Sequence, residues 1–182
     1  VSKVTDDVAV LWARVLKAVP ASRLLLKTGG GGAADRRLRQ AFMAAGVPED
    51  AVTLIGRTAS RDEYLRLYHS VDLCLDPFPY NGVTTTCDAL WMGVPVVSLA
   101  GRTSISRQGV SLLTNVGLAE LVAETADVYV ATAARLAADP GRLSAVRADL
   151  RGRMACSPLM DASRFTRHLE AAYLAIWNKL MA

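Results

Sequence analysis

Residues 71–101 read "VDLCLDPFPYNGVTTTCDALWMGVPVVSLAG". "VDLCLD" is a short, mostly apolar run that reads as a buried strand. "TTTCDALWMG" reads as a helix that stops at Gly93, and "VPVVSLA" as the next strand. A strand, a helix and a strand joined by short links form a parallel unit, because parallel neighbours need a crossover. Asp76 to Val83 then lie at the carboxyl end of a strand and at the start of a helix. In open parallel sheets, ligands bind there.

The pattern repeats toward the N-terminus. "TDDVAVLWARVLKAVP" is a helix with Thr5 as N-cap and acids in its first turn. "SRLLLKT" is a strand, "AADRRLRQAFMAAG" a helix ending at Gly46, and "AVTLIG" a strand. "SRDEYLRLYHS" is a short helix with Ser60 and Glu63 at capping-box spacing. Toward the C-terminus, "SRQGVSLLTNVG" is a helix ending at Gly117. Three helical patterns follow, "TADVYVATAARLAAD", "PGRLSAVRADLRGRM" and "DASRFTRHLEAAYLAIWNKL", with no clear strand between them. The fold class is α/β: a Rossmann-like parallel sheet with helices on both faces, then C-terminal helices. Such a sheet ordinarily opens with a strand. None precedes the first helix, and the expectation is that one lies upstream. Residues 1–155 are expected to form the sheet domain. Residues 156–182 are expected to pack back on it or toward another part of a longer chain.

The 182 residues suffice for one domain with a core. Hydrophobic residues make up 52% and charged residues 21%, which excludes a disordered chain. The net charge is +4, and its basic residues are scattered among acids. That pattern gives no nucleic-acid tract and suits a small anionic ligand. Three cysteines, Cys74, Cys87 and Cys156, show no CxxC spacing. They fit a reducing, cytoplasmic setting better than a disulfide framework or a zinc site. No apolar run has the length of a membrane span, and no signal peptide is visible.

Two loops sit where a ligand would bind. "KTGGGGAAD" matches G-x-G-x-x-A through Gly29, Gly31 and Ala34, with Arg57 near the end of the following strand. This is a dinucleotide pattern of NADP type, set against a plain flexible turn, and the acid usual at the end of that strand is missing. The other loop leads into Thr84, Thr85 and Thr86. Backbone N–H groups and hydroxyls at a helix start make an anion site, and Gly82 lets the backbone come close. Asp88, one turn on, can accept from a ribose diol beside the phosphates. The plain alternative is an N-cap with surface threonines and a solvated acid.

Residues 76–101, with "SRQGVSLLTNVGLAELVA" and "CSPLMDASRFTRHLEAAYLAIW", resemble the C-terminal catalytic half of the O-GlcNAc transferase family. That family includes the plant SPINDLY protein O-fucosyltransferase and bacterial proteins with N-terminal tetratricopeptide repeats. The resemblance runs over nearly the whole chain. It implies the second Rossmann-like half of a glycosyltransferase-B fold, the half that binds the nucleotide sugar. It implies an inverting transfer to protein Ser or Thr without a metal or other cofactor. The implied partners are the nucleotide sugar, the acceptor protein, and the N-terminal Rossmann half and repeats of a longer chain. Nucleic acid and membrane are not among them.

By the same resemblance, Thr84 and Thr85 match the diphosphate-binding pair and Asp88 the ribose-binding acid. Lys3 matches the lysine that sits on the diphosphate and helps the leaving group depart. Arg61 and Tyr64 stand where the O-GlcNAc transferases have a lysine and a histidine that contact the ribose and stack on the base. Ala59 stands where a backbone group meets the base edge. Val83 replaces the histidine that precedes the threonine pair in the animal enzymes. UDP-GlcNAc and GDP-fucose therefore both stand as donors. His69 and His168 read as packing or capping residues, and Trp91 and Trp177 as core or domain contacts. Arg107 is expected to touch the site loop, an acid or a helix C-terminus. A degenerate, non-catalytic interaction module and an NADP-binding domain are the competing readings.

Overall fold

Thr5 starts the first helix by accepting the Val8 N–H on its hydroxyl at 3.3 Å, and Asp6 and Asp7 face the positive end of the helix dipole. The computed structural model describes residues 3–181. Along the chain run α1 (Asp6–Ala18), β1 (Leu24–Lys27), α2 (Ala33–Ala44), β2 (Val52–Ile55), α3 (Arg61–Arg66) and β3 (Cys74–Leu75). They are followed by α4 (Thr84–Trp91), β4 (Val96–Leu99), α5 (Gln108–Asn115), β5 (Val122–Ala123), α6 (Ala126–Ala137), α7 (Pro140–Ala155) and α8 (Ala162–Met181).

All strand pairs are parallel. Hydrogen bonding divides the strands into a β1–β2 pair and a β3–β4–β5 sheet. One apolar core unites them: Leu24, Leu26, Leu75, Val97 and Leu99 cluster with Val8 and Trp12 of α1 and Phe42 of α2. A second cluster lies on the other face, where Val96 packs with Leu90, Leu113 and Leu150 from α4, α5 and α7. The alternation of Val96 and Val97 between the two clusters is the pleat of a strand buried on both sides.

β5 adds a strand to those read from the sequence, between α5 and the three C-terminal helical patterns. Its two residues pair with Ser98 and Leu99 of β4. A strand this short, embedded in helix-like sequence, has no periodicity of its own, so its partner alone defines it. Gly93 ends the α4 turn at φ +77, and an added Cβ would meet the Arg147 carbonyl at 2.9 Å.

Several of the expectations offered two readings, and exposure removes one of each. Trp91 is not in the core: it is exposed, and the Arg151 guanidinium stands 5.2 Å from its ring centroid while donating to its carbonyl. His69 and His168 are exposed and do not pack. α8 does not pack back on this domain, for none of its residues is buried. Phe165, Leu169, Tyr173, Ile176 and Leu180 lie along one exposed stripe of it at helical spacing. Among the described residues, no helix is long and apolar enough to cross a membrane.

Candidate functional site

The site is built on the loop from β3 to α4. Its floor is Asp76, only 3% exposed. One carboxylate oxygen accepts the Gly82 N–H at 2.7 Å, and the other accepts the Ser98 hydroxyl at 2.7 Å. The Asp76 carbonyl accepts the Tyr129 hydroxyl, which in turn accepts Trp12 Nε1–H, both at 3.1 Å. Asn81 is fully buried. Its amide donates to the Pro77 carbonyl at 3.0 Å, its N–H donates to the Ile105 carbonyl at 3.1 Å, and its side-chain oxygen accepts from Gly109. The loop is thus tied to β4, to α5 and to itself.

Gly82 is crowded. A Cβ there would lie 2.6 Å and 2.7 Å from the hydroxyls of Thr85 and Thr86 and 3.2 Å from Asp76. Space, rather than conformational freedom, is what the position demands. The next residue, Val83, is the N-cap of α4 and offers no side-chain cap. The first N–H groups of α4 therefore lack the usual side-chain acceptor. Thr84 and Thr85 are exposed beside them, whereas Thr86 is buried.

Lys3 reaches this loop from the other end of the chain. Its Nζ donates to the Asn81 carbonyl at 2.8 Å and stands 4.0 Å from the Tyr80 ring centroid. It precedes α1 rather than lying in its first turn, so it is no solvated helix charge. Arg37 of α2 pins the adjoining segment by donating to the Val4 carbonyl and the Asp6 carboxylate.

The opposite side of α4 faces α3. Asp88 is 9% exposed and takes a 2.8 Å ion pair from the more open Arg61. It is not the solvated acid of the plain reading. The Tyr64 and Tyr68 hydroxyls bond each other at 2.7 Å, and Tyr68 donates to the Thr85 carbonyl at 3.2 Å. Burial raises the pKa of both phenols, so they stay protonated. Lys27 stands 5.5 Å from the Tyr64 ring centroid. The Ala59 N–H donates to the Glu63 carboxylate at 2.6 Å. Glu63 thus reaches one residue beyond the predicted capping box, while Ser60 caps α3 as expected.

Other sequence candidates resolve differently. In the glycine loop, Asp35 accepts from Gly31 N–H at 2.7 Å and from the Thr28 hydroxyl at 3.1 Å. A carboxylate already fills the anion position at the start of α2, which disfavours a dinucleotide phosphate there. Arg107 donates to the Gly101 carbonyl at 3.1 Å, bracing the loop after β4. Burial pushes the Cys74 thiol up to about 12. Cys87 is raised too, by burial first and then by the Asp88 charge. Neither free thiol is a ready nucleophile.

Burial also pushes Asp76 up to about 6, against the lowering effects of the Ser98 and Gly82 hydrogen bonds and the Lys3 charge. Cys74 and Tyr129 flank it as well, neither carrying charge at neutral pH. The folded chain therefore holds this proton more tightly than the unfolded chain, whose carboxyl keeps the ordinary 3.8. The stability this contributes is fully present below pH 3.8 and is lost as the pH rises through about 6. An Asp76→Asn amide can accept from Gly82 and face Ser98 without a charge to bury. At pH 7 the variant should be more stable than the parent by up to roughly 3 kcal/mol, seen as a higher unfolding temperature. The gain should vanish at pH 3.5. Equal unfolding temperatures at both pH values would contradict this account of the buried charge.

Positions 3, 59–64 and 82–88 are thus drawn around one helix start. Sequence reasoning missed Asp76, Asn81, Ser98 and Tyr68 as parts of the assembly. The lone acid closing an apolar strand and the Asn-Gly pair were the available signals. Among the described residues, no three His, Cys, Asp or Glu side chains gather as metal ligands.

Residues 1–169 match the profile of glycosyl transferase family 41. The chain is 41% identical, over 98% of its length, to a probable UDP-N-acetylglucosamine–peptide N-acetylglucosaminyltransferase SPINDLY of Petunia hybrida, of which it covers 19%. It is 32% identical, over 97% of its length, to the corresponding SEC protein of Arabidopsis thaliana, of which it covers 18%. A solved O-GlcNAc transferase mutant from Thermobaculum terrenum superposes with a TM-score of 0.90 at 37% identity, over 98% of this chain and 34% of that one. The chain spans about a fifth of the length of the curated relatives it matches.

Proposed function

This chain belongs to glycosyl transferase family 41, and from that premise we propose that it is the nucleotide-sugar-binding part of an inverting, metal-independent transferase acting on protein Ser or Thr. The observation that carries the reading is the convergence of Lys3 and the uncapped start of α4 on one loop. A diphosphate seated there meets an ammonium, helix N–H groups and the Thr84 and Thr85 hydroxyls. Asp88 and Arg61 lie one turn further on for the ribose. Tyr64 offers a ring for the base, and the Ala59 backbone a partner for its edge.

The reaction proposed for this site is an in-line displacement. The acceptor hydroxyl attacks the anomeric carbon, and the bond from that carbon to the β-phosphate oxygen breaks on the opposite side. Negative charge grows on the departing diphosphate, where Lys3 and the α4 N–H groups are already oriented. The hydroxyl proton passes to a base outside this chain. Val83 removes the imidazole found at this position in the animal enzymes, and both UDP-GlcNAc and GDP-fucose remain as donors. The names of the plant relatives give N-acetylglucosaminyl transfer, the resemblance to SPINDLY implies fucosyl transfer, and both donors are therefore carried into the test.

Isothermal titration of the full-length enzyme with UDP, GDP and NADP tests the reading. One nucleoside diphosphate should bind and NADP should not. Failure of both UDP and GDP would refute it. Turnover of UDP-GlcNAc against GDP-fucose then selects the donor.

The exposed stripe of α8 fits the same reading. We assign it to docking against the rest of the parent chain, since so many large apolar groups on one helix face are costly to leave in water. In the full-length enzyme, Ile176→Glu should cut turnover at least tenfold and expose α8 to limited proteolysis. Wild-type turnover and an uncut α8 would show that the stripe has no such partner.

A further inference from the structure

Lys3 and the α4 helix start are held by groups that no ligand needs to touch. The Asn81 carbonyl that receives Lys3 Nζ belongs to a residue with no exposed surface, fastened by its own amide, its N–H and its side-chain oxygen. One residue later, the Gly82 N–H is fixed by Asp76, and Asp76 is itself anchored to β4 through Ser98. The fit allows almost no slack. A Cβ on Gly109 would fall 1.9 Å from Ser98 Oγ and 2.9 Å from Asp76 Oδ2. Behind the loop, the Trp12–Tyr129 pair ends on the Asp76 carbonyl, so α1 and α6 hold the same point.

We propose that Asp76 and Asn81 are positioning residues of the transferase, holding the 76–83 loop so that Lys3 Nζ and the first N–H groups of α4 aim at one diphosphate. This rests on the function proposed above. Neither residue reacts. Asp76 sets where the helix begins, by fixing Gly82 just before it. Asn81 sets where the lysine sits, by presenting its carbonyl. A displacement of about 1 Å in such a pair is enough to lower a rate by two orders of magnitude.

The test uses full-length enzyme and measures kcat, KM and unfolding temperature together. Asp76→Ala and Asn81→Ala should each lower kcat at least tenfold at a temperature where the variant is folded. KM should change by less than threefold. Asp76→Asn, which keeps an acceptor for the Gly82 N–H, should restore most of the kcat lost in Asp76→Ala. Because Asn81 acts through Lys3, the Lys3→Ala/Asn81→Ala double variant should be no more than about twofold slower than Lys3→Ala alone. Wild-type kcat in Asn81→Ala, or fully additive losses in the double variant, would overturn the proposal. So would losses that merely follow a lowered unfolding temperature. If Asp76→Ala does not fold, the Asn81 cycle decides alone. Wild-type enzyme that binds neither UDP nor GDP would instead sink the underlying function, a result separable from all of these.

Discussion

Full-length enzyme carrying Lys3→Ala should turn over about a hundred to a thousand times more slowly, the usual cost of removing one preorganised group from a developing charge. The loss should fall on kcat. The ammonium is held 2.8 Å from the Asn81 carbonyl at the loop where the diphosphate would lie, and its attraction grows as the leaving group gains charge. Ground-state binding of UDP or GDP should weaken much less. The fold should survive, because the variant gives up one half-buried hydrogen bond and one cation–π interaction at the edge of the domain. The assay is release of nucleoside diphosphate with kcat and KM separated. Unchanged kcat would move the reacting centre away from this loop.

Asp88→Ala should show the opposite division. Charge-assisted hydrogen bonds to a ribose diol are worth about 1.5–3 kcal/mol together, so UDP or GDP should bind roughly tenfold to a hundredfold more weakly. KM should rise with it. The buried carboxylate is paired with Arg61, whose side chain is 66% exposed. On losing Asp88 the guanidinium returns to water, so the stability cost stays small. A dideoxyribose analogue of the nucleotide gives an internal control. It should bind wild type more weakly than the parent nucleotide does, and bind Asp88→Ala equally to it. A persisting preference in the variant would place the diol elsewhere.

The elements most legible in the sequence were those with a local cause. Thr5 and Ser60 cap helices where their hydroxyls can reach the N–H three residues on. Gly46, Gly93 and Gly117 end helical turns at positive φ, as their placement after periodic stretches indicates. Chain-local signals also singled out the loop before Thr84 as a candidate for binding an anion. The side chains that hold that loop were not legible. Asp76 reads as any strand-end acid, and only its burial against Ser98 and Gly82 shows what it grips. Tyr68 is one residue among others in a short helical pattern, and only the packed structure sets its hydroxyl on the Thr85 carbonyl.

Periodicity, capping and turn chemistry act over a few residues, and so the sequence by itself determined the order of the helices and of the first four strands, the parallel class and the helix start at Thr84. Bringing Lys3 to a loop 78 residues away, pairing Arg61 with Asp88, and making a strand of Val122–Ala123 required the packed tertiary structure. Those contacts join distant segments, and no local pattern specifies which segment burial will place beside another.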